Sequence, residues 1–151
     1  LQQKRNLSDT NKKIMTKTAR VLWIDGYRLE GKTDNGNTVM MDSGENALAA
    51  SPAQLLLQAL AGCTMMDCVL IIGKARKKMD KFWVDVTAEE AETHPRIFTK
   101  MHITYNFVGA ELDSETIERA IKLSEEKYCR VHAMLSKASV ITSSYNLNPA
   151  S

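Results

Sequence analysis

Three cysteines and one carboxylate carry the chemistry this sequence could do. The run LQALAGCTMMDCVLII, residues 57–72, sets Cys63, Asp67 and Cys68 in otherwise apolar surroundings, and CRVH, residues 129–132, adds Cys129 and His132. A thiol in such a place is a redox centre or nucleophile only if its thiolate is stabilised. Candidate partners for Cys63 are Cys129, expected near a helix N-terminus that favours anions, and an arginine such as Arg20, Arg28, Arg76 or Arg130. A metal site is a second reading: Cys129 and His132 have C-x-x-H spacing and, with Cys63, make a three-ligand zinc set. Plain packing is a third, because free cysteine is among the most buried residue types. It fits Cys68 best. Five helical positions separate Cys63 from Cys68 by about 140° around the axis, so the two cannot readily share a ligand. Asp67 lies one turn after Cys63. Buried there, it must find a hydrogen-bond partner in the backbone or in a polar residue of another element, or it orients the site. A nearby carboxylate raises a thiol's pKa, so Asp67 is not an obvious activator.

These residues must be held by a definite set of elements. Residues 18–24, 27–33 and 37–41 read as strands joined at Asp25-Gly26 and Asn35-Gly36, both turn signals that tolerate positive φ. Ser51-Pro52-Ala53-Gln54 marks a helix start, with a capping serine and proline at the first helical position. That helix is predicted to run to about residue 79. It is apolar nearly all round from 55 to 72, and its basic end suits the negative pole of the dipole. Residues 82–90 and 97–108 alternate and are expected to pair, followed by a helix from Asp113 or Ser114 to about 127, a further short helix at 131–137 and a last strand at 140–147. The order βββαββαβ predicts an α+β fold with sheet surface wrapped around helices. So long an apolar helix needs cover on all sides, which predicts a homodimer burying it between subunits.

The same run is just long enough for a membrane span. Asp67 would cost about 3 kcal/mol near the bilayer centre, and the rest of the chain is strand-rich, so no membrane role is expected. The totals are those of an ordinary globular chain of 151 residues: 44% hydrophobic, 25% charged, net charge +2. They announce no nucleic-acid binder, since GKARKK (73–78) is explained as a charged helix end. An odd cysteine count and no visible basic-then-apolar leader predict a cytoplasmic protein with reduced thiols. Residues 1–16 are expected to be a flexible N-terminal arm or an expression remnant, and 17–151 a single domain.

SPAQLLLQALAGCTMMDCV (51–69) and LSEEKYCRVHAML (123–135) together resemble the OsmC/Ohr family of thiol-dependent hydroperoxide reductases, and HPRIFTKMHITYNF (94–107) looks like its YhfA-like branch. The resemblance covers about 18–147. It implies an intertwined homodimer in which antiparallel sheets enclose two long central helices, with active sites at the subunit interface. It places the family's two cysteines on Cys63 and Cys129. The implied reaction is reduction of an organic hydroperoxide through a sulfenic acid on Cys63 and then a disulfide with Cys129. An external dithiol, such as a lipoylated protein, completes the cycle. No metal, haem, flavin or other cofactor takes part. An apolar pocket lined by Leu60, Met65, Met66 and Tyr128 is expected to favour greasy peroxides.

The sequence departs from that pattern at one place. The peroxidase branches carry a glutamate after the helix-starting proline, paired with an arginine that steadies the thiolate. Here the corresponding residues are Ala53 and Gln54, and Gln54 cannot anchor an arginine by charge. Glu45 in the preceding loop and Arg28 on the second strand are the substitutes to examine, with Gln54 and Asp67 as supporting residues. The alternative function is binding of a small apolar ligand, or other thiol chemistry, with little peroxidase activity.

Overall fold

The computed structural model describes residues 15–149. The expectation of an arm at 1–16 falls outside them except for its last two residues. The chain divides into two compact units, one ending at Ser51 and the other beginning at Pro52.

The first unit is an antiparallel meander of β1 (Ala19–Asp25), β2 (Arg28–Thr33) and β3 (Thr38–Met41). Both expected turns form, with Gly26 at φ 48° and Gly36 at φ 87°, where a side chain would be strained. The Trp23 indole N–H donates to the Gly26 carbonyl at 3.0 Å and pins the first hairpin. After β3 the Asp42 carboxylate accepts from the Ser43 and Leu48 amides and shapes the following loop. Among the described residues of this unit only Gly31, Met41 and Asp42 are buried, while Val21, Trp23 and Tyr27 are largely exposed.

The second unit carries α1 (Pro52–Lys74), β4 (Lys81–Glu90), β5 (Phe98–Val108), α2 (Ser114–Leu123), a π-helical turn (Ser124–Tyr128), α3 (Arg130–Leu135) and β6 (Val140–Leu147). Its sheet has the order β4-β5-β6. The alternation read from sequence fixes the antiparallel β4–β5 pair, in which Val84 opposes Tyr105 and Val86 opposes Ile103. β6 corrects the expectation of purely antiparallel sheets: it runs parallel to β5, with Ile103 opposite Ser143. A parallel pair needs a long crossover, and the helical segments between Val108 and Val140 supply it. α1 stops at Lys74, about five residues short of expectation. Arg76 adopts φ 58° and the Lys77 amide turns back to the Ile72 carbonyl, so the chain leaves the axis there.

One sheet face packs on α1 and α2. Met101, Ile103, Tyr105 and Phe107 of β5 meet Leu60, Cys68 and Ile72 of α1 and Ile117, Ala120 and Ile121 of α2 in one buried cluster. Phe82 stacks on Phe107 with ring centroids 4.4 Å apart. The buried residues of α1 (Leu60, Thr64, Cys68 and Ile72) recur every fourth position. Thr64 satisfies its hydroxyl within the helix by donating to the Leu60 and Ala61 carbonyls. The helix is apolar all round but buried along this stripe alone. Only 22% of its most apolar window is covered, and Met66 is 76% exposed. It is the one helix among the described residues long and apolar enough to cross a membrane.

α2 begins at a charged cap. Asp113 Oδ1 accepts from the Thr116 amide at 2.8 Å, and its Oδ2 accepts from the Thr116 hydroxyl at 3.1 Å and lies 3.1 Å from Lys77 Nζ. The Thr116 amide, the Lys77 ammonium and the Thr116 hydroxyl hold the Asp113 carboxyl below its ordinary range. Its contribution is therefore present at neutral pH and is lost as pH falls through that depressed value. Asp113→Ala is expected to lower the thermal midpoint by about 2–4 °C at pH 7. The difference from wild type should shrink below pH 4, and thermal melts followed by circular dichroism check both.

Candidate active site: two thiols and a carboxylate

Cys63 and Asp67 sit one turn apart on α1, so both project towards the segment that links α2 to α3. That segment is not a continuous α-helix. The Cys129 amide donates to the Ser124 carbonyl at 2.8 Å, closing an i→i+5 turn over Ser124–Tyr128. Such π-turns are rare and concentrate at functional sites. Here the turn brings the Ser124 hydroxyl to 2.9 Å from Asp67 Oδ2, to which it donates. The next residue, Glu125, accepts from the Tyr105 hydroxyl at 3.1 Å, tying the same turn to β5.

Cys129 then caps α3. Its backbone is extended and its sulfur accepts from the His132 amide at 3.3 Å. The result is a cluster in which Cys63 Sγ, Cys129 Sγ and an Asp67 carboxylate oxygen all lie within 4.8 Å of one another. Cys63 is half-buried and Cys129 is buried. Burial, followed by its contact with Cys63, holds the Cys129 thiol in its protonated form, and the His132 amide opposes this only in part. The arrangement is a pair of free thiols from two elements, the more accessible one on the long helix and the buried one within bonding reach of it. Such a pair can cycle between dithiol and disulfide, or chelate a soft cation.

Residues 44–144 match the family described as OsmC-like protein. The chain belongs to the OsmC-like family. It is 37% identical over 129 residues to the YhfA protein of Escherichia coli K12, covering 85% of this chain and 96% of YhfA. A hypothetical protein from Aquifex aeolicus superposes with a TM-score of 0.76 at 27% identity, over 90% of this chain and all of that one. An organic hydroperoxide resistance protein from Elizabethkingia anophelis shares the fold, with a TM-score of 0.63 at 17% identity over 89% of this chain and 99% of that one. The mixed α+β architecture with two sheets is thus that of OsmC-like proteins.

Within its second unit this OsmC-like chain brings Cys63, Asp67 and Cys129 together. His132 reaches the cluster through its backbone amide, and its imidazole is not among the clustered donors, so the zinc set read from spacing does not assemble. Gln54 lies on the first turn of α1, exposed, about 13 Å along the axis from Cys63. Arg28 and Glu45 belong to the first unit. The Arg28 guanidinium is paired there with Asp25, its Nε donating to Oδ1 at 2.8 Å, and Glu45 is exposed in the loop after β3. Leu60, expected to line a pocket, is instead wholly buried in the core. Tyr128 does line a cavity of about 440 Å³ between α1 and α2, together with Asp67, Leu70, Ile71 and Leu123. Sequence reasoning missed Ser124. A signal was available, because Ile117, Ala120, Ile121 and Ser124 share one helical stripe and the last is polar and fully buried.

Cys68 faces the core, and its thiol is pushed up to about 12, first by burial and then by the neighbouring Asp67 carboxylate. The folded state therefore keeps this proton when the unfolded chain loses it. The stabilising contribution is complete below the ordinary value of 9.0 and is lost as pH rises towards 12. Cys68→Ala should remove a destabilising slope of about 1.4 kcal/mol per pH unit above pH 9. Urea unfolding at pH 8, 9, 10 and 10.5 in both proteins measures it.

Proposed function

We propose that this protein reduces organic hydroperoxides through a two-cysteine cycle. The observation that carries the reading is the approach of Cys63 and Cys129, whose sulfurs lie within 4.8 Å although the residues come from different elements. The Cys63 thiolate attacks the distal oxygen of a hydroperoxide and the O–O bond breaks. The alkoxide leaves and takes a proton as an alcohol, and Cys63 becomes a sulfenic acid. The Cys129 sulfur then attacks the Cys63 sulfur, forming a disulfide and releasing water. Closing to the length of an S–S bond needs a movement of at most about 2.8 Å, within reach of side-chain rotation and a small backbone shift. An external dithiol, such as a lipoylated protein, restores both thiols by exchange and leaves as its own disulfide. The cytoplasm, where thiols are kept reduced, is the compartment the cycle fits.

The working form is a homodimer. The uncovered flank of α1, with Leu56, Met66, Val69 and Leu70 each 46–76% exposed, is too apolar to face water over so long a helix. The exposed Val21, Trp23 and Tyr27 of the first unit support the same reading.

Thiol counting during titration with cumene hydroperoxide tests the cycle. The reduced protein should lose two of its three thiols at one equivalent and keep the third at large excess. Retention of all three would refute it. A second reading, a binder of small apolar molecules with little turnover, is favoured by the cavity lined by Leu70, Ile71, Leu123 and Tyr128 and by Ala53 and Gln54 at the helix start. That outcome of the titration would leave it standing.

A further inference from the structure

We propose that Cys63, Cys129 and Asp67 form a zinc-binding site in the reduced protein, with one coordination position open to solvent. The three donor atoms are mutually within 4.8 Å, so a point exists no more than about 2.8 Å from each of them. Zinc takes sulfur at about 2.3 Å and carboxylate oxygen at about 2.0–2.2 Å. Drawing the donors onto an ion therefore asks each to move inwards by less than about 1 Å. All three come from one chain, and the rigid α1 carries two of them at i and i+4. The donor set selects the metal. Two thiolates favour zinc or copper(I) over calcium and magnesium, while the carboxylate suits a borderline divalent ion better than a monovalent soft one.

The surroundings are those of a metal site as well. Ligands are usually fixed by hydrogen bonds from outside the coordination sphere. Ser124 donates to Asp67 Oδ2 at 2.9 Å, and the His132 amide donates to Cys129 Sγ at 3.3 Å. Both donors are compatible with anionic ligands. Cys63, half-buried, provides the path by which an ion enters and by which a fourth ligand, such as water, reaches it. On binding, two thiol protons pass to solvent and the two thiolates and the carboxylate each give an electron pair to the ion. An occupied site engages both sulfurs, so metal and peroxide compete for Cys63.

Cobalt(II), which reports thiolate coordination by a near-ultraviolet charge-transfer band, is the probe. Reduced, metal-free, full-length protein is expected to bind one cobalt per chain with this band and to release it to one equivalent of zinc. Cys63→Ser and Cys129→Ser should each lower the affinity at least 100-fold, Asp67→Asn and Ser124→Ala about 10–100-fold, and Cys68→Ser should leave it within twofold. A measurement needing no variant accompanies this: saturating zinc should slow alkylation of Cys63 by iodoacetamide at least tenfold. Absence of the band, its persistence in Cys63→Ser, or an unchanged alkylation rate overturns the site. None of these readouts involves peroxide. A protein that binds no cobalt yet loses two thiols to hydroperoxide refutes the metal site and leaves the redox cycle intact.

Discussion

Replacing Cys63 by serine is expected to lower hydroperoxide reduction by at least about 10³-fold, since a serine hydroxyl at neutral pH is neither ionised nor able to accept an oxygen atom. Cys129→Ser should behave differently. The first half of the cycle needs only Cys63, so this variant should still release one equivalent of alcohol and then stall with a sulfenic acid on Cys63. Lacking its resolving partner, that group is open to further oxidation to the sulfinic acid, which ordinary dithiols do not reverse. Intact-mass spectrometry with a sulfenic-acid trap distinguishes the two: an adduct in Cys129→Ser and none in Cys63→Ser. Cys68→Ala should turn over within about twofold of wild type, because a buried thiol in an apolar core does not meet the substrate. Equal loss in Cys63→Ser and Cys68→Ala would mean that the accessible thiol has no special role.

The second large effect is expected on the bare flank of α1. Met66 is 76% exposed in the single chain, within a helix whose mean hydropathy is 2.0 over its most apolar window. If a second copy covers it, Met66→Asp removes about 2 kcal/mol of apolar burial and sets an unpaired carboxylate in the interface at a cost of about 3–5 kcal/mol. A twofold interface repeats the change on both sides. The dimer dissociation constant should therefore rise by at least about 10⁷-fold, at 1.4 kcal/mol per decade. Sedimentation velocity should give a dimer for wild type and monomer or aggregate for the variant. An unchanged dimer would place the contact on another face, and a monomeric wild type would remove the dimer altogether.

Much of the scaffold is legible because local rules decide it. The alternation of Val84 and Val86 against Asp85 and Thr87 has the period of a half-buried strand, and the structure pairs these residues as that period requires. Ser51-Pro52 marks where α1 begins, and Asp113 caps α2. What local rules do not decide is less legible. The direction of β6 depends on where the crossover delivers the chain, and alternation is the same in parallel and antiparallel edges. The end of α1 rests on the left-handed conformation of Arg76, a residue type that gives no warning of it. The π-turn at Ser124–Tyr128 leaves no compositional trace, apart from a serine on an otherwise apolar stripe.

The candidate site divides in the same way. The one-turn spacing of Cys63 and Asp67 puts them on one side of α1, and the mismatch with Cys68 follows from helix geometry alone. Spacing could not choose Cys129 as the neighbour of Cys63, sixty-six residues away. Family resemblance singles out that pairing, and the helical segments after β5 bring the two sulfurs together. Spacing also favoured His132 over Asp67 as the third donor. C-x-x-H at the start of so short a helix directs the backbone amide of His132, and not its ring, at Cys129.

If Cys63 and Cys129 form one redox pair, disulfide mapping after a single equivalent of organic hydroperoxide will reveal it. Reduced protein is oxidised, alkylated without reduction, digested and analysed by mass spectrometry. The expected product is an intramolecular peptide pair joining Cys63 to Cys129, with Cys68 recovered as a free alkylated thiol. A disulfide through Cys68, a bond between chains, or three free thiols after the peroxide is consumed would contradict it.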